Sequence, residues 1–234
     1  MKTNPFSRLS PFELVLWIVS VIVSAASGLL SGDGGALNAI SSVIGVTALI
    51  FVAKGHVLGQ LLTVVFALFY GVISVGFKYY GEAITYLCMT APMAIAAVIS
   101  WLRHPSDDSE EVEVSRLTKK QIAAVITLAA AATALFYFIL KALGNANLLF
   151  STISVTTSFI ASALTFLRSP YYAVGYAAND IVLIVLWSLA TAENIAYLPM
   201  IVCFVMFFAN DMYGFYNWHR MEKRQSQVRD MAGN

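Results

Sequence analysis

Charge is what this chain has least of. Of its 234 residues only 12% are Asp, Glu, Lys or Arg, while 59% are hydrophobic. A water-soluble domain carries about twice that charged share, so a soluble reading is excluded and a polytopic membrane protein is implied. Cysteine is scarce as well. Cys88 and Cys203 lie in different apolar runs without ligand-type neighbours, which excludes a disulfide framework and a zinc site and predicts two buried packing residues. His56, His104 and His219 all fall at the ends of apolar runs, and neither an HExxH pair nor a phosphate-cradling glycine loop occurs. No metal, no cofactor and no ATP motor is therefore expected. An intramembrane enzyme would need a nucleophile–base pair among the spans, and no histidine lies there. A net charge of +1, with no basic stretch interleaved with aromatics, makes nucleic acid an unexpected partner.

Long apolar runs are what the chain has most of. Eight of them, at 11–30, 36–53, 57–77, 83–102, 121–140, 148–167, 171–190 and 196–218, can each cross a bilayer core of about 30 Å as a helix. They are apolar around the whole circumference, which favours helices over barrel strands. Ser31-Gly-Asp-Gly-Gly35, Lys54-Gly55, Gly81-Glu82, Gly144-Asn145 and Ser169-Pro170 mark junctions. Eight spans put both termini on the side of the loops after spans two, four and six. Of the 14 Lys and Arg residues, all but Lys78 and Lys141 fall on that side, so both termini are expected to be cytoplasmic. Lys2 and Arg8 before the first run, with small residues at Ser24–Gly28, also fit a signal peptide, but the length of the run favours a retained helix. The acidic stretch 103–120 is expected to be a solvated linker.

The two halves look related at an offset of 116 or 117 residues. Ser42-Val-Ile-Gly45 aligns with Ser158-Phe-Ile-Ala161, Gly59 with Gly175, and Trp101 with Trp218. The implied organisation is an extra N-terminal helix (1–35), a first three-helix repeat (36–102), a cytoplasmic linker and linker helix (103–147), a second three-helix repeat (148–218) and a tail (219–234). An odd number of helices between halves makes the repeats parallel, about an axis along the membrane normal.

Against this apolar background stand two pairs, Asn179-Asp180 and Asn210-Asp211, in runs with no other charge. A carboxylate at that depth costs about 2.5–3.5 kcal/mol unless something pairs with it. No Lys or Arg lies inside any run, so the partner has to be a proton, an ion or a positively charged substrate. Helical spacing puts Tyr172, Tyr176, Leu183 and Trp187 on the face of Asn179, and Phe207, Tyr213, Gly214 and Asn217 on the face of Asn210. Amides between aromatic rings suit a flat heteroaromatic ligand, and ring faces attract a cation by about 0.5–2 kcal/mol. The expected substrate-binding set is Tyr172, Tyr176, Asn179, Asp180, Trp187, Asn210, Asp211, Tyr213 and Asn217. The alternative for the asparagines is hydrogen bonding between membrane helices as structural glue. The repeat alignment sets Asn179 opposite Leu62 or Thr63 and Asn210 opposite Met93, so a pocket should take most of its polar contacts from the second half. Trp101 and Trp218, near span ends, are expected to be interfacial anchors. Pro92 is expected to kink its helix, either for packing or to line a pore.

Val52-Ala-Lys-Gly55, Lys78-Tyr-Tyr-Gly-Glu82, Ala91-Pro-Met93 with Trp101, Ser151-Thr152, Asn179 and above all Asn210-Asp-Met-Tyr-Gly-Phe-Tyr-Asn-Trp218 resemble the PnuC family of nicotinamide riboside transporters, over about 36–220. The resemblance implies a SWEET-like pair of three-helix halves with a linker helix, a bacterial inner-membrane location, a homotrimer, and facilitated passage of a phosphate-free nucleoside that is trapped by phosphorylation inside the cell. The pyridinium cation of nicotinamide riboside fits the unpaired carboxylates. The chain departs from the family where Tyr172 and Gly175 replace a Trp-x-x-Trp pair, where Ala94 replaces a Gln after the helix-four proline, and where an Asn near Leu62 is missing. These departures leave room for thiamine, riboflavin or a deoxynucleoside as substrate, or for a vitamin-binding subunit of an energised complex.

Overall fold

Runs that cannot expose their backbone to lipid must close every hydrogen bond within themselves, and the computed structural model is accordingly helical. It describes residues 4–29, 35–76, 79–106, 110–145 and 147–232. Lys2, Lys78, Ser31 to Gly34 and the linker residues Asp107 and Asp108 lie outside the described residues. Nine helices appear among the described residues: α1 (Pro11–Leu29), α2 (Gly35–Ala53), α3 (Val57–Gly76), α4 (Tyr80–Thr85), α5 (Ala91–Arg103), α6 (Lys119–Ala142), α7 (Leu148–Phe166), α8 (Tyr172–Glu193) and α9 (Leu198–Ala232). A π-helical turn, Tyr86–Thr90, fuses α4 and α5 into one span, which gives eight membrane-length helices. The wide turn sits just ahead of Pro92. There the amide of Ala91 bonds the carbonyl of Tyr86, five residues back. The expected irregularity at Pro92 is therefore a π-turn.

Helices α2, α3 and α4–α5 pack as one group and α7, α8 and α9 as another. The groups meet where α2 packs on α9 and α5 packs on α7, and α6 packs mainly along α7. Helix α2 is the most enclosed, with 61% of its span buried, against 22% for α1 and 17% for α6, which lie at the rim. Two glycines allow close crossings within the groups. A Cβ at Gly59 would lie 2.4 Å from the backbone nitrogen of Val52, and one at Gly175 would lie 2.9 Å from Cα of Ala161. Each lets the second helix of a group close onto the first.

Aromatic contacts join the groups at both ends. At the end that carries the termini, Trp101 and Trp218 face each other with ring centroids 5.5 Å apart. The indole of Trp101 donates to the carbonyl of Thr165 (3.0 Å) and that of Trp218 to the carbonyl of Val52 (2.9 Å). Both rings are at most 1% exposed. The expectation that they anchor the protein in the membrane interface is overturned, because the two halves converge on them. At the other end the indole of Trp187 donates to the hydroxyl of Tyr70 (2.9 Å).

Helix α9 runs 14 residues past Trp218, where the sequence turns polar, and the linker explains why. Val112 and Val114 are buried against Trp101, Tyr172, Trp218 and Met221. The amide of Gln225 accepts from the Val114 nitrogen (2.8 Å) and donates to the Val112 carbonyl (3.1 Å), as a neighbouring strand would. Glu111 pairs with Arg224, Glu113 with Arg229 (3.2 Å) and Arg116 with Glu222 (2.8 Å). The acidic linker is therefore not merely solvated: residues 110–116 form a strap across the termini-bearing end. Gln225→Ala is expected to loosen this strap and lower the melting temperature, at a cost of about 1–3 kcal/mol for two buried backbone groups left unpaired. A thermal melt of the purified protein checks it. Cys203 is buried as expected, whereas Cys88, on the π-turn, is exposed on the outer face of the bundle.

Candidate functional site

Six helical segments close around one central cavity. Gly45, Ala48, Leu49 and Val52 line it from α2, Gln60, Thr63 and Phe66 from α3, and Tyr86 and Thr90 from the π-turn. Ser158 lines it from α7, Tyr176, Asn179 and Asp180 from α8, and Phe207 and Asp211 from α9. These positions recur at three- and four-residue steps, as one face of each helix requires. The cavity volume is about 50 Å³, well below the roughly 300–1,000 Å³ of open small-molecule sites, so its walls are drawn in.

The carboxyl groups of Asp180 and Asp211, each 3% exposed, lie within hydrogen-bonding reach of each other across α8 and α9. Two carboxyls can bond to each other only with at least one proton between them, so the pair holds at most one negative charge. Asp180 Oδ2 has no partner among the described residues. No Lys, Arg or His is among the described residues lining the cavity. Asn179 accepts from the Thr157 hydroxyl (2.8 Å) and more loosely from Ser154 (3.4 Å), which leaves its NH₂ for the cavity. The amide of Gln60, 2% exposed, lines the cavity, and Thr90 Oγ1 is unpaired among the described residues. Rings of Phe66, Tyr86, Tyr176 and Phe207 supply the apolar walls, and the Tyr176 hydroxyl is held by Ser162 at 3.2 Å. Buried polar groups left without partners beside a cavity are the places where a ligand completes the hydrogen bonding.

Of the nine residues expected to bind substrate, Tyr176, Asn179, Asp180 and Asp211 come together on the cavity, and five do not line it. Asn210 points the other way: its NH₂ donates to Ser20 of α1 (3.0 Å) and to the Met206 carbonyl (2.8 Å). One helical step of 100° separates it from Asp211, and α1 fills the side it faces. The Tyr213 hydroxyl donates to Glu13 (2.6 Å), which also holds Lys54 at 3.0 Å. Asn217 donates to the Ala53 carbonyl (2.8 Å) and Trp187 to Tyr70. Tyr172 lies beneath the cavity, 4.8 Å from Trp218 between ring centroids. Asn210→Ala is thus expected to lower stability by about 1 kcal/mol, typical of a hydrogen bond between membrane helices, and to leave ligand affinity within about threefold. Paired melting and calorimetric titration measure both.

A family model described as a nicotinamide mononucleotide transporter matches residues 35–220. The chain belongs to this family. The chain is 27% identical over 230 residues to the nicotinamide riboside transporter PnuC of Neisseria mucosa, covering 96% of this chain and 87% of that one. To the nicotinamide riboside transporter PnuC of Haemophilus influenzae it is 25% identical over 226 residues, covering 96% of each. A crystal structure of the vitamin B3 transporter PnuC superposes with a TM-score of 0.80 at 26% identity, over 93% of this chain and 94% of that one. Transport is thus the family's business, and the fold is that of a solved transporter.

The family match begins at residue 35 and leaves out α1, yet this helix is fastened to the transporter body. Glu13 bonds Tyr213 and Lys54, Ser20 accepts from Asn210, and Trp17 donates to Thr47 at 3.0 Å. The departures from the family pattern also find their places. Gly175 sits at the α7–α8 crossing with no room for a side chain, Ala94 is buried off the cavity, and Thr63, one residue from Leu62, is on it. Sequence reasoning missed Gln60, Thr90 and Ser158. For Gln60 a signal existed: it is the one amide in the apolar run 57–77.

Proposed function

We propose that this protein is a facilitative transporter for nicotinamide riboside, bound in the central cavity with its pyridinium ring between the aromatic walls. The observation that carries the reading is the Asp180–Asp211 pair: two adjacent buried carboxyls that can hold one negative charge, no lining cation, and aromatic rings on both sides. A single positive charge on a flat ring is the complement of that site. The names of the relatives point to the riboside and the family description to the mononucleotide. The cavity favours the riboside, because a phosphate dianion would be buried beside carboxyls with no Lys or Arg to meet it. In this reading Asn179 and Gln60 hold the carboxamide and ribose hydroxyls.

Passage needs the cavity to open at either end in turn. The Tyr70–Trp187 contact closes one end, and Trp101, Trp218 and Tyr172 with the strap close the other. The aromatic pairs Tyr70/Trp187 and Trp101/Trp218, and the crossings at Gly59 and Gly175, each relate residues 116 or 117 apart. That supports parallel, SWEET-like repeats that rock about the cavity, with α1, the linker and α6 outside them. The excess of Lys and Arg at the termini-bearing end supports cytoplasmic termini in a bacterial inner membrane. The family resemblance supports a homotrimer.

Proteoliposomes of the purified chain test the transport reading. Nicotinamide riboside should equilibrate down its gradient with no added energy source. Binding without equilibration would instead identify a binding subunit. A stronger response to thiamine, riboflavin or a deoxynucleoside would reassign the substrate.

A further inference from the structure

A third buried carboxyl, Glu82, lies off the cavity wall and has no assigned task. Glu82 is 1% exposed, and its Oε2 has no hydrogen-bond partner among the described residues. It belongs to the start of α4, at the end opposite the termini, where the Gly81 nitrogen donates to Asn145 (3.2 Å) and so fixes the helix start. Tyr86, four residues further on, lines the cavity, and so does Thr90 after another four. Glu82 therefore stands about one helical turn outward of the cavity wall along the same helix. Tyr79 lies three residues before Glu82 and Tyr86 four after it, on its face of the helix, and Tyr70 belongs to the same buried cluster as both. Tyr70 and Tyr86 approach to 4.2 Å between ring centroids, and Tyr79 packs 4.8 Å from Trp187, whose indole is tied to Tyr70. The aromatic contact that closes this end of the bundle thus has a buried acid beside it.

We propose that Glu82 and the tyrosines Tyr70, Tyr79 and Tyr86 form an outer way-station for an aromatic cation, occupied on the way to the Asp180–Asp211 pair. This rests on the reading of the cavity as a site for a cationic nucleoside. A ring cation passing this end leaves water between aromatic faces, and its charge needs an anion at each stage of that passage. Glu82 supplies one before the central pair comes within reach, and the tyrosine rings give way as the halves rock.

The test compares Glu82→Gln with wild type in proteoliposomes, using nicotinamide riboside and its uncharged dihydro form, together with calorimetric titration in detergent. Initial uptake of the cation is expected to fall about tenfold, its equilibrium affinity to stay within about threefold, and uptake of the uncharged form to stay within about twofold. Equal slowing of both forms would make Glu82 a structural residue and overturn the proposal, as would unchanged uptake of the cation. If Glu82→Gln does not fold, Glu82→Asp, which keeps the charge, is expected to retain at least about a third of the cation's rate, and a larger loss shared by both forms would overturn the proposal. If Asp180→Asn/Asp211→Asn loses binding while Glu82→Gln transports normally, only the way-station falls. If wild type does not bind nicotinamide riboside at all, the cavity reading fails and the way-station falls with it.

Discussion

Replacing both Asp180 and Asp211 by asparagine is expected to weaken nicotinamide riboside binding by at least about thirtyfold, or ~2 kcal/mol, the lower end of what losing one side of a buried charge pair costs. Either single replacement should cost less than about tenfold. The two carboxyls lie side by side, so each single variant still holds one ionisable carboxyl, now beside an amide that can donate to it. Only the double variant leaves the pyridinium without an anion in the cavity. The losses should therefore be strongly non-additive, as residues in one hydrogen-bonded unit are. Additive losses would mean that the two acids act separately. Isothermal titration of the four proteins settles the matter.

The other large effect is expected at Gly45. A Cβ there would lie 2.3 Å from Cζ of Phe207 and 3.0 Å from Cδ2 of Phe66. Gly45→Val must therefore drive one of these rings into the space the ligand uses. Overpacking of this kind costs about 1–3 kcal/mol of stability, and we expect uptake to fall at least about tenfold. Gly71→Ala is the control. The atoms nearest its Cβ belong to the side chain of Leu87, at 2.6 Å, which does not line the cavity, so it should cost stability while leaving affinity within about twofold. Equal losses of affinity in both variants would show that general loosening, and not obstruction of the cavity, is responsible.

Much of the fold was legible because hydropathy alone decides which segments can sit in lipid. The eight expected runs match the eight spans, and most ends agree within a few residues. The long extension of α9 was not legible. Residues 219–232 are polar, and their contacts with the strap at Val112, Val114 and Gln225 join positions more than a hundred residues apart. Trp101 and Trp218 were misread for a related reason. A tryptophan at a span end is ordinarily an anchor, and only the meeting of the two halves buries these two.

The candidate site was half legible. Asp180 and Asp211 stood out because a carboxylate in an apolar run has to be explained by chemistry. Asn179 and Tyr176 followed from helical spacing. Asn210 has the same residue type, depth and neighbouring acid as Asn179, and sequence cannot tell which side of α9 will be covered by α1. Glu13 and Ser20 on that helix take up Tyr213 and Asn210. Gln60 carries no charge and lies near a span start, where an amide is unremarked, so its position on the cavity emerged only when α2, α3 and α9 were brought together.

The most direct test of the account is a titration of wild-type protein with nicotinamide riboside, its uncharged dihydro form and nicotinamide mononucleotide. The cavity predicts the tightest binding for the riboside cation, about tenfold or more weaker binding for the uncharged form, and at least about a hundredfold weaker binding for the mononucleotide. Mononucleotide binding equal to that of the riboside would contradict it, because the described cavity wall holds two acids and no base to receive a phosphate.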